Sequence, residues 1–399
     1  MNLKGKTVLI GVSGSIAAYK IASLVSSLKK LDANVHVVMT SNATNFINPI
    51  TFETLSNNKC LVDTFDRNFE FKTEHISISK QADLVVLAPA TANVIGKIAN
   101  GIADDMLTTT VMACKCKKLI APAMNTNMYE NPIVQDNINK LKRFGYEIIE
   151  PDEGYLACGD VGKGKMVEPE ELLEYILKEI AFEKDLEGKK ILITAGPTIE
   201  KIDSVRYLTN HSSGKMGYKL AKHAMQRGAK VTLISGKTSI KPPKFIKVIN
   251  VISAQEMFDA VKENFESQDI IIKAAAVADY KPKEFFDGKI KKKGLELNLE
   301  LERTDDILKY IGEHKTNQFV CGFSMETDNM IENSKEKLIS KNLDMIVANN
   351  LRQEGAGFGG DTNIVTIITK NNIKELDILS KEEVAKKVID NILEILNSK

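Results

Sequence analysis

Short, continuous apolar runs separated by segments of helical period occur twice along this chain, and that alternation predicts an α/β architecture. In the first half, runs at 7–10, 35–39, 83–88, 118–121 and 146–149 read as strands buried on both faces. Between the first two, Ala17, Ile21, Leu24, Val25 and Leu28 repeat at helical spacing behind Ser15, which is placed as the helix N-cap. A helical pattern over 169–181 gives way to the charged octet FEKDLEGK at 182–189, read as an inter-domain linker. Beyond it the alternation restarts. Strands are expected at 191–194, 231–235, 245–251, 270–275, 318–323, 345–348 and 364–369, and helices at 215–227, 254–266, 305–314, 329–340 and 381–397. The expectation is two tandem Rossmann-like α/β domains, 1–181 and 190–399, each with a mostly parallel sheet and without an obvious repeat between them.

Composition narrows the function classes. A chain of 399 residues, 43% hydrophobic, suits two domains of common size. Lys+Arg number 54 against Asp+Glu 53, so no global field draws the chain to nucleic acid or an anionic membrane, and any anion site must be local. The longest apolar runs fall far short of the roughly 20 residues of a membrane helix, and the N-terminal run leads into a strand without a cleavage signal. A cytoplasmic protein is expected. Its five cysteines, an odd number, argue for free thiols, and Cys114 and Cys116 lack the companion ligands of a zinc site.

Candidate chemistry collects where strands end. Gly11-Val12-Ser13-Gly14-Ser15 lacks the third glycine of a dinucleotide fingerprint, and no acidic residue closes the next strand. It reads as a tight strand-to-helix turn or as a phosphate site. Thr40, Ser41 and Asn42 end the second strand, where open α/β sheets bind ligands. The small residues Thr91, Ala92 and Asn93 follow the third, where a planar ring can approach backbone N–H groups. Asn125, after the fourth strand, could bind a carboxylate without charge, and Cys158 in a glycine-rich loop could exchange a proton. His75 reads as a surface residue or an acid/base group.

Taken in order, the GSIAA turn, His75, the APATAN and NGIADD segment, PxMNxxM and the LACGDxGxGxM loop resemble the flavin-dependent cysteine decarboxylases over roughly the first 175 residues. Tyr129 departs from the family, which usually has tryptophan there. The resemblance implies a flavodoxin-like domain that binds FMN. Its phosphate would lie near Gly14 and Ser15, its ring near Thr91, Ala92 and Asn93, with Thr40 and Ser41 also in the site. It further implies that oxidation of the thiol carbon to a thioaldehyde provides the electron sink for decarboxylation. His75 would be the acid/base residue, Asn125 would hold the departing carboxylate, and Cys158 would protonate the intermediate.

In the second half, Ser213-Gly214-Lys215-Met216-Gly217 lacks the spacing of a P-loop, because Thr209 stands where the first glycine belongs and Met216 where the hydroxyl belongs. Ala274 to Tyr280 reads as a strand entering an acidic turn, followed by Lys281, Lys283, Lys289, Lys291, Lys292 and Lys293. That run reads as a solvated face or as a triphosphate site with a divalent ion. DSVRYLTNHSSGKMG, AAAVADYKP, KIKK, TDDIL and CGFSMET resemble the phosphopantothenate–cysteine ligase domain from about residue 187 to the end. The resemblance implies nucleotide contacts from Asp279, Lys289, Asp305, Asp306, Ile307, Leu308, Phe323, Lys337 and Lys341. Asn210 would hold the activated acyl intermediate, and Lys289 would assist its formation.

Together the resemblances imply CTP-dependent ligation of L-cysteine to 4′-phosphopantothenate through an acyl-cytidylate, then decarboxylation to 4′-phosphopantetheine. Mg²⁺ is expected with the polyphosphate, with Asp279 as the candidate metal contact. They also imply a homo-oligomer with trimers of the flavin domain and dimers of the ligase domain. A peptide-modifying flavoprotein with an unrelated second half, or a nucleotide-binding regulator without turnover, are the competing readings.

Overall fold

The computed structural model describes residues 2–65, 74–290, 298–326, 328–350 and 360–398. The chain divides into two compact units, Met1–Phe182 and Glu183–Lys399.

The first unit runs β1 (Thr7–Val12), α1 (Ala18–Lys30), β2 (Asn34–Met39), α2 (Pro49–Ser56), α3 (Glu74–Gln81), β3 (Leu84–Ala90), α4 (Ala92–Ala99), α5 (Met106–Ala113), β4 (Lys117–Pro122), α6 (Thr126–Glu130), α7 (Pro132–Arg143), β5 (Glu147–Ile148), β6 (Asp152–Tyr155), β7 (Val161–Lys165) and α8 (Pro169–Ile180). β1 to β5 form a parallel sheet in the order β2-β1-β3-β4-β5. Side chains alternate across the pleat. Val8, Ile10 and Val12 of β1 pack in one cluster with Leu24 and Leu28 of α1 and Ile176 of α8, whereas Leu9 packs in the other with Ile95 of α4, Val111 of α5 and Leu141 of α7. Both faces are therefore covered, which is why the strands read as unbroken apolar runs. Each fully buried aliphatic side chain contributes roughly 1.5–3 kcal/mol.

The chain leaves β1 for β2 on one side and returns to β3 on the other. Loops diverge at this point, and their backbone groups open a crevice beyond the carboxyl ends of β1 and β3. α1 starts later than expected. Ala17, not Ser15, is its N-cap, and the Ser15 hydroxyl instead accepts a hydrogen bond from the Ala17 amide at 3.3 Å. The 13–17 segment forms a turn of its own, with the Ser15 amide donating to the Ser13 carbonyl at 2.9 Å, before helical geometry begins.

Residues 154–160 were expected as a loop, but β6 and β7 pair as an antiparallel hairpin whose tip holds Cys158. Gly164 fastens this hairpin. Its carbonyl accepts from the Met124 amide at 3.1 Å, and at φ +138° a Cβ would lie 2.2 Å from the Met124 carbonyl oxygen.

The second unit runs β8 (Lys190–Ala195), β9 (Ile199–Lys201), β10 (Tyr207–Thr209), α9 (Lys215–Gln226), β11 (Lys230–Ser235), β12 (Lys247–Asn250), α10 (Ala254–Asn264), β13 (Ile270–Lys273), β14 (Tyr280–Pro282), β15 (Leu301–Arg303), α11 (Ile307–His314), β16 (Phe319–Glu326), α12 (Met330–Ser340) and β17 (Met345–Asn350). Strands at Val365–Thr369 and Ile373–Glu375 follow, then α13 (Lys381–Asn397). The sheet order is β12-β11-β8-β13-β16-β17, parallel throughout, extended by the two later strands in antiparallel pairing. α9 and α13 cover one face, and α10, α11 and α12 the other.

The octet 182–189 is not a free linker beyond its first residue. Leu186 is fully buried in the second core, its amide donates to the Arg227 carbonyl at 3.0 Å, and Asp185 accepts from Arg227 Nε at 2.8 Å. One apolar residue amid charges suffices to seat the segment on the second unit.

Candidate active sites

In the first unit one hydroxyl joins the carboxyl ends of two strands, β1 and β3. Ser13 is 1% exposed; its Oγ donates to the Pro89 carbonyl at 2.6 Å and accepts from the Thr91 amide at 3.0 Å. The Thr40 amide donates to the Val12 carbonyl at 3.0 Å, adding the end of β2. Gly14, Ser15, Thr40, Ser41, Thr91, Ala92 and Asn93 consequently occupy adjacent turns along one edge of the sheet. Thr40 Oγ1 also accepts from the Ala43 amide at 3.3 Å, capping a turn of 3₁₀ helix at Ser41–Asn45.

α4 has no side-chain cap, so no side-chain oxygen stands between its first N–H groups and a ligand, whereas the first amides of α1 bond to the carbonyls of Ser15, Ile16 and Ala17 in the turn before it. At Gly14 a Cβ would fall 2.8 Å from Asn42 Cβ, which shows how tightly the turn folds back. Uncapped amides beside small residues are the donor set a phosphorylated planar cofactor needs, and the residues present fit FMN.

A cavity of about 490 Å³ adjoins this edge, lined by Ser15, Met124, Asn125, Cys158 and Lys165 among others. Asn125 is the N-cap of α6, its Oδ1 accepting from the Asn127 amide at 2.8 Å. That bond fixes the amide and aims Nδ2 at the hairpin, where it donates to Asp160 Oδ2 at 2.6 Å and Cys158 Sγ at 3.3 Å. Cys158 Sγ in turn donates to Asp160 Oδ2 at 3.4 Å. The Asn125 amide thus already binds a carboxylate, and the thiol stands beside it. Asp160 was not named as a site residue, although it is the aspartate of the LACGDxGxGxM loop two positions after Cys158.

His75 belongs to the first turn of α3, and its side chain lies outside the described residues. Tyr129 is buried on the far side of its helix from this chemistry. It packs in the α4, α5 and α7 cluster, is not in the cavity lining, and donates to Glu150 Oε2 at 2.7 Å.

The second unit carries a two-lobed cleft. A larger cavity of about 670 Å³ is lined by Asp279, Asp305, Asp306, Ile307, Leu308 and Lys341 among others. A smaller one of about 280 Å³ includes Asn210, Phe323, Lys337, Asn349 and the N-terminus of α9. Lys273, Val277 and Asp279 line both. The segment that carries Asp279 is tied down on two sides: Thr304 Oγ1 donates to the Ala278 carbonyl at 2.6 Å, and Asn210 Nδ2 donates to the Ala276 carbonyl at 3.1 Å. Asp306 caps α11 through the Lys309 amide at 3.1 Å and pairs with Lys341 at 2.8 Å. Burial opposes its ionisation, yet Lys341 and the Lys309 amide hold its carboxyl below the usual range. Lys337 pairs with Glu326.

Asn349 is 2% exposed, and neither amide atom has a hydrogen-bond partner among the described residues. A buried amide left so is costly unless a ligand completes it. Since β9 and β10 intervene between β8 and α9, the strand-loop-helix of a P-loop is absent here.

Lys289 is exposed and outside both cavity linings. Its segment is stapled by buried Asp203, which accepts from the amides of Val205 at 2.8 Å, Arg206 at 2.7 Å and Ile290 at 3.2 Å, and from Arg206 Nε at 2.9 Å. Ser204 Oγ accepts from the Gly288 amide at 2.9 Å. The Arg206 guanidinium holds the Asp203 carboxyl well below the usual range, overriding burial, with the three amides adding to it. Lys291, Lys292 and Lys293 lie outside the described residues. Among those described, no group of three or more His, Cys, Asp or Glu is placed to hold a metal, and no helix is long and apolar enough to cross a membrane.

Lys273, like Asp160, was not anticipated. The expected strand at 270–275 holds it as an interior residue, whereas the structure ends β13 at Lys273, and only the cavities on either side of it mark it as a site residue.

Comparison with known proteins follows the same division. Residues 1–181 match the flavoprotein family, and residues 186–396 match the DNA/pantothenate metabolism flavoprotein C-terminal domain. The coenzyme A biosynthesis bifunctional protein CoaBC of Bacillus subtilis (strain 168) is 51% identical over 394 residues, covering 98% of this chain and 97% of the relative. The protein of the same name from Borreliella burgdorferi is 46% identical over 389 residues, covering 97% and 98%. A crystal structure of the C-terminal domain of a CoaBC protein is 45% identical, covers 54% of this chain and 98% of its own, and gives a TM-score of 0.47.

Proposed function

The chain belongs to the bifunctional CoaBC family of coenzyme A biosynthesis, and from that premise we propose a division of labour between its two units. The second unit joins L-cysteine to 4′-phosphopantothenate at the expense of CTP. The first decarboxylates the product to 4′-phosphopantetheine.

In the ligase cleft the larger lobe takes the nucleotide, with Asp279, Asp305 to Leu308 and Lys341 around it, and the smaller lobe takes the acyl substrate between Asn210, Asn349 and the α9 N-terminus. The substrate carboxylate attacks the α-phosphorus, pyrophosphate leaves, and the amine of cysteine then displaces CMP to form the amide. Phe323 and Lys337 close the lobe on the side of β16 and α12. Lys289 approaches from the loop that Asp203 anchors, and Asp279 would hold the Mg²⁺ that neutralises the charge of the polyphosphate. The observation that carries this reading is the common wall of Lys273, Val277 and Asp279, since the chemistry requires the two substrates to meet.

In the first unit Gly14, Ser15, Thr40 and Ser41 would hold the FMN phosphate end and Thr91, Ala92 and Asn93 its ring. FMN supplies, when bound, the two-electron acceptor that makes the thiol carbon of the substrate an electron sink. The Asn125 amide exchanges the Asp160 carboxylate for that of the substrate and holds it until carbon dioxide departs. Cys158, within hydrogen-bond reach of the same amide, delivers the proton that replaces it, and His75 serves as the acid/base residue. Exposed Tyr19, Tyr155 and Val161 around the cavity supply apolar surface for assembly into flavin-domain trimers, alongside ligase-domain dimers, in the cytoplasm.

The test separates the units. His75→Asn is expected to abolish carbon dioxide release while CTP-dependent pyrophosphate release continues, and Lys289→Gln to do the reverse, with ATP as the control nucleotide. Loss of both activities from either change in a folded protein would overturn the assignment.

A further inference from the structure

We propose that Lys273 is a catalytic residue of the ligase reaction, its ammonium binding the α-phosphoryl group as that group passes from nucleotide to acyl carboxylate. This rests on the ligase reading above and deepens it.

Position is the first argument. Lys273 ends β13, between Thr194 of β8 and Gly322 of β16, at the middle of the sheet and beyond the topological switch. It lines both lobes, so its side chain stands where a group shared by the two substrates must lie. The α-phosphoryl group is that shared group: it starts as part of the nucleotide and ends bonded to the acyl oxygen.

Charge is the second argument. The neighbouring lysines are already committed, Lys341 to Asp306 at 2.8 Å, Lys215 to Asp361 at 2.8 Å and Lys337 to Glu326. Lys273 has no ion pair or hydrogen bond of its ammonium among the described residues; the charges that face it act through space. These are Lys341 and Lys337 from the α12 side, Asp306 from the head of α11 and Asp279 from the turn after its own strand. A half-buried cation without a counter-ion is costly, and an incoming anion removes that cost. Burial first, then Lys341, bring the ammonium down to about 8, so above that pH it waits in part as the amine.

In the step itself a carboxylate oxygen forms a bond to the α-phosphorus while the bond from that phosphorus to the bridging oxygen of pyrophosphate breaks. The electron pair leaves with pyrophosphate, and no proton is transferred. Charge grows on the non-bridging α-oxygens, and Lys273 neutralises it as a fixed donor.

The experiment uses the full-length enzyme with CTP, phosphopantothenate and Mg²⁺, following pyrophosphate release. Lys273→Gln is expected to lower kcat by about 10²- to 10³-fold, with the KM for CTP changed far less and the melting temperature not reduced. Lys273→Arg is expected to recover part of the rate. Since the active form is the ammonium, wild-type kcat/KM should fall about tenfold per pH unit above about 8. That limb should move out of range in Lys273→Arg, whose guanidinium stays charged. CTP binding measured calorimetrically at pH 8.5 should take up protons in wild type and not in Lys273→Gln. A Lys273→Gln enzyme within threefold of wild type, or an unchanged basic limb in Lys273→Arg, overturns the inference alone. A wild-type enzyme inert with every nucleoside triphosphate overturns the ligase reading and this inference with it.

Discussion

The two sites sit at the same place in the same kind of sheet and hold their ligands by opposite means. In the first unit the turns after β1, β2 and β3 present backbone amides and small residues, the β6–β7 hairpin presents one cysteine, and Lys20, a charge of the cavity, is paired with Glu168 at 2.7 Å. In the second, the loops after β13 and before α11 present Asp279, Asp305 and Asp306, with Lys273 and Lys341 opposite them. A parallel sheet therefore supplies only the crevice, and the loops decide whether it suits a flat cofactor or a polyphosphate. One site is framed by backbone amides and by charges that are bonded to one another or to an amide. The other manages charge.

This contrast breaks most visibly if the first site is given an uncompensated charge. Asn125→Asp keeps an oxygen to cap α6 at the Asn127 amide but places a second carboxylate beside Asp160. Decarboxylation is expected to fall about 10²- to 10³-fold with flavin absorbance and ligation intact, and a rate near wild type would show that Asn125 does not hold the carboxylate. In the charged site the sharpest probe is mechanical. Asp203→Asn weakens the staple to Arg206 and Ile290 that positions Lys289, and ligation kcat should drop about ten- to a hundredfold with CTP affinity preserved. An unchanged kcat would detach Lys289 from that staple.

The smallest effect is on stability. Buried His223 in α9 has its pKa lowered from 6.5 to about 4 by burial and by Arg227. The unfolded chain therefore binds the proton first. The stability from keeping this imidazole neutral is complete above pH 6.5 and is lost as pH falls from 6.5 towards 4. At roughly 1.4 kcal/mol per pH unit the loss approaches about 3 kcal/mol. That corresponds to roughly 5–10 °C in the melting transition of the second unit. In the first unit half-buried His36 is shifted in the same direction by burial and Lys29, so its acid loss should be the lesser. Calorimetry at pH 7 and 4.5 checks the ranking, and equal losses would contradict it.

The sheets were legible because strands covered on both faces leave unbroken apolar runs, as Leu84 to Ala90 and Ile270 to Ile272 do. α13 was legible end to end from its capping Ser380 and Glu383 to the last apolar repeat. The β6 and β7 hairpin was not, because DEGY and VGKGK have no apolar alternation and depend on Met124 and Gly164 for their seat. Ser15 has the chemistry of a cap, but the bond from its own amide to Ser13 diverts the chain first. The site residues of both units were named through family motifs. Asp160 and Lys273 escaped because their meaning comes from what lies across space from them, an amide in one case and a shared wall in the other.

Ser13 has a consequence of its own. With one oxygen bonded to both Pro89 and Thr91, it acts as a caliper whose jaws are the turn after β1 and the turn after β3. Thermal motion cannot widen one without dragging the other. The spacing between the turn after β1 and the turn after β3 is thus held by a single buried hydroxyl, which sets the width of the crevice between them.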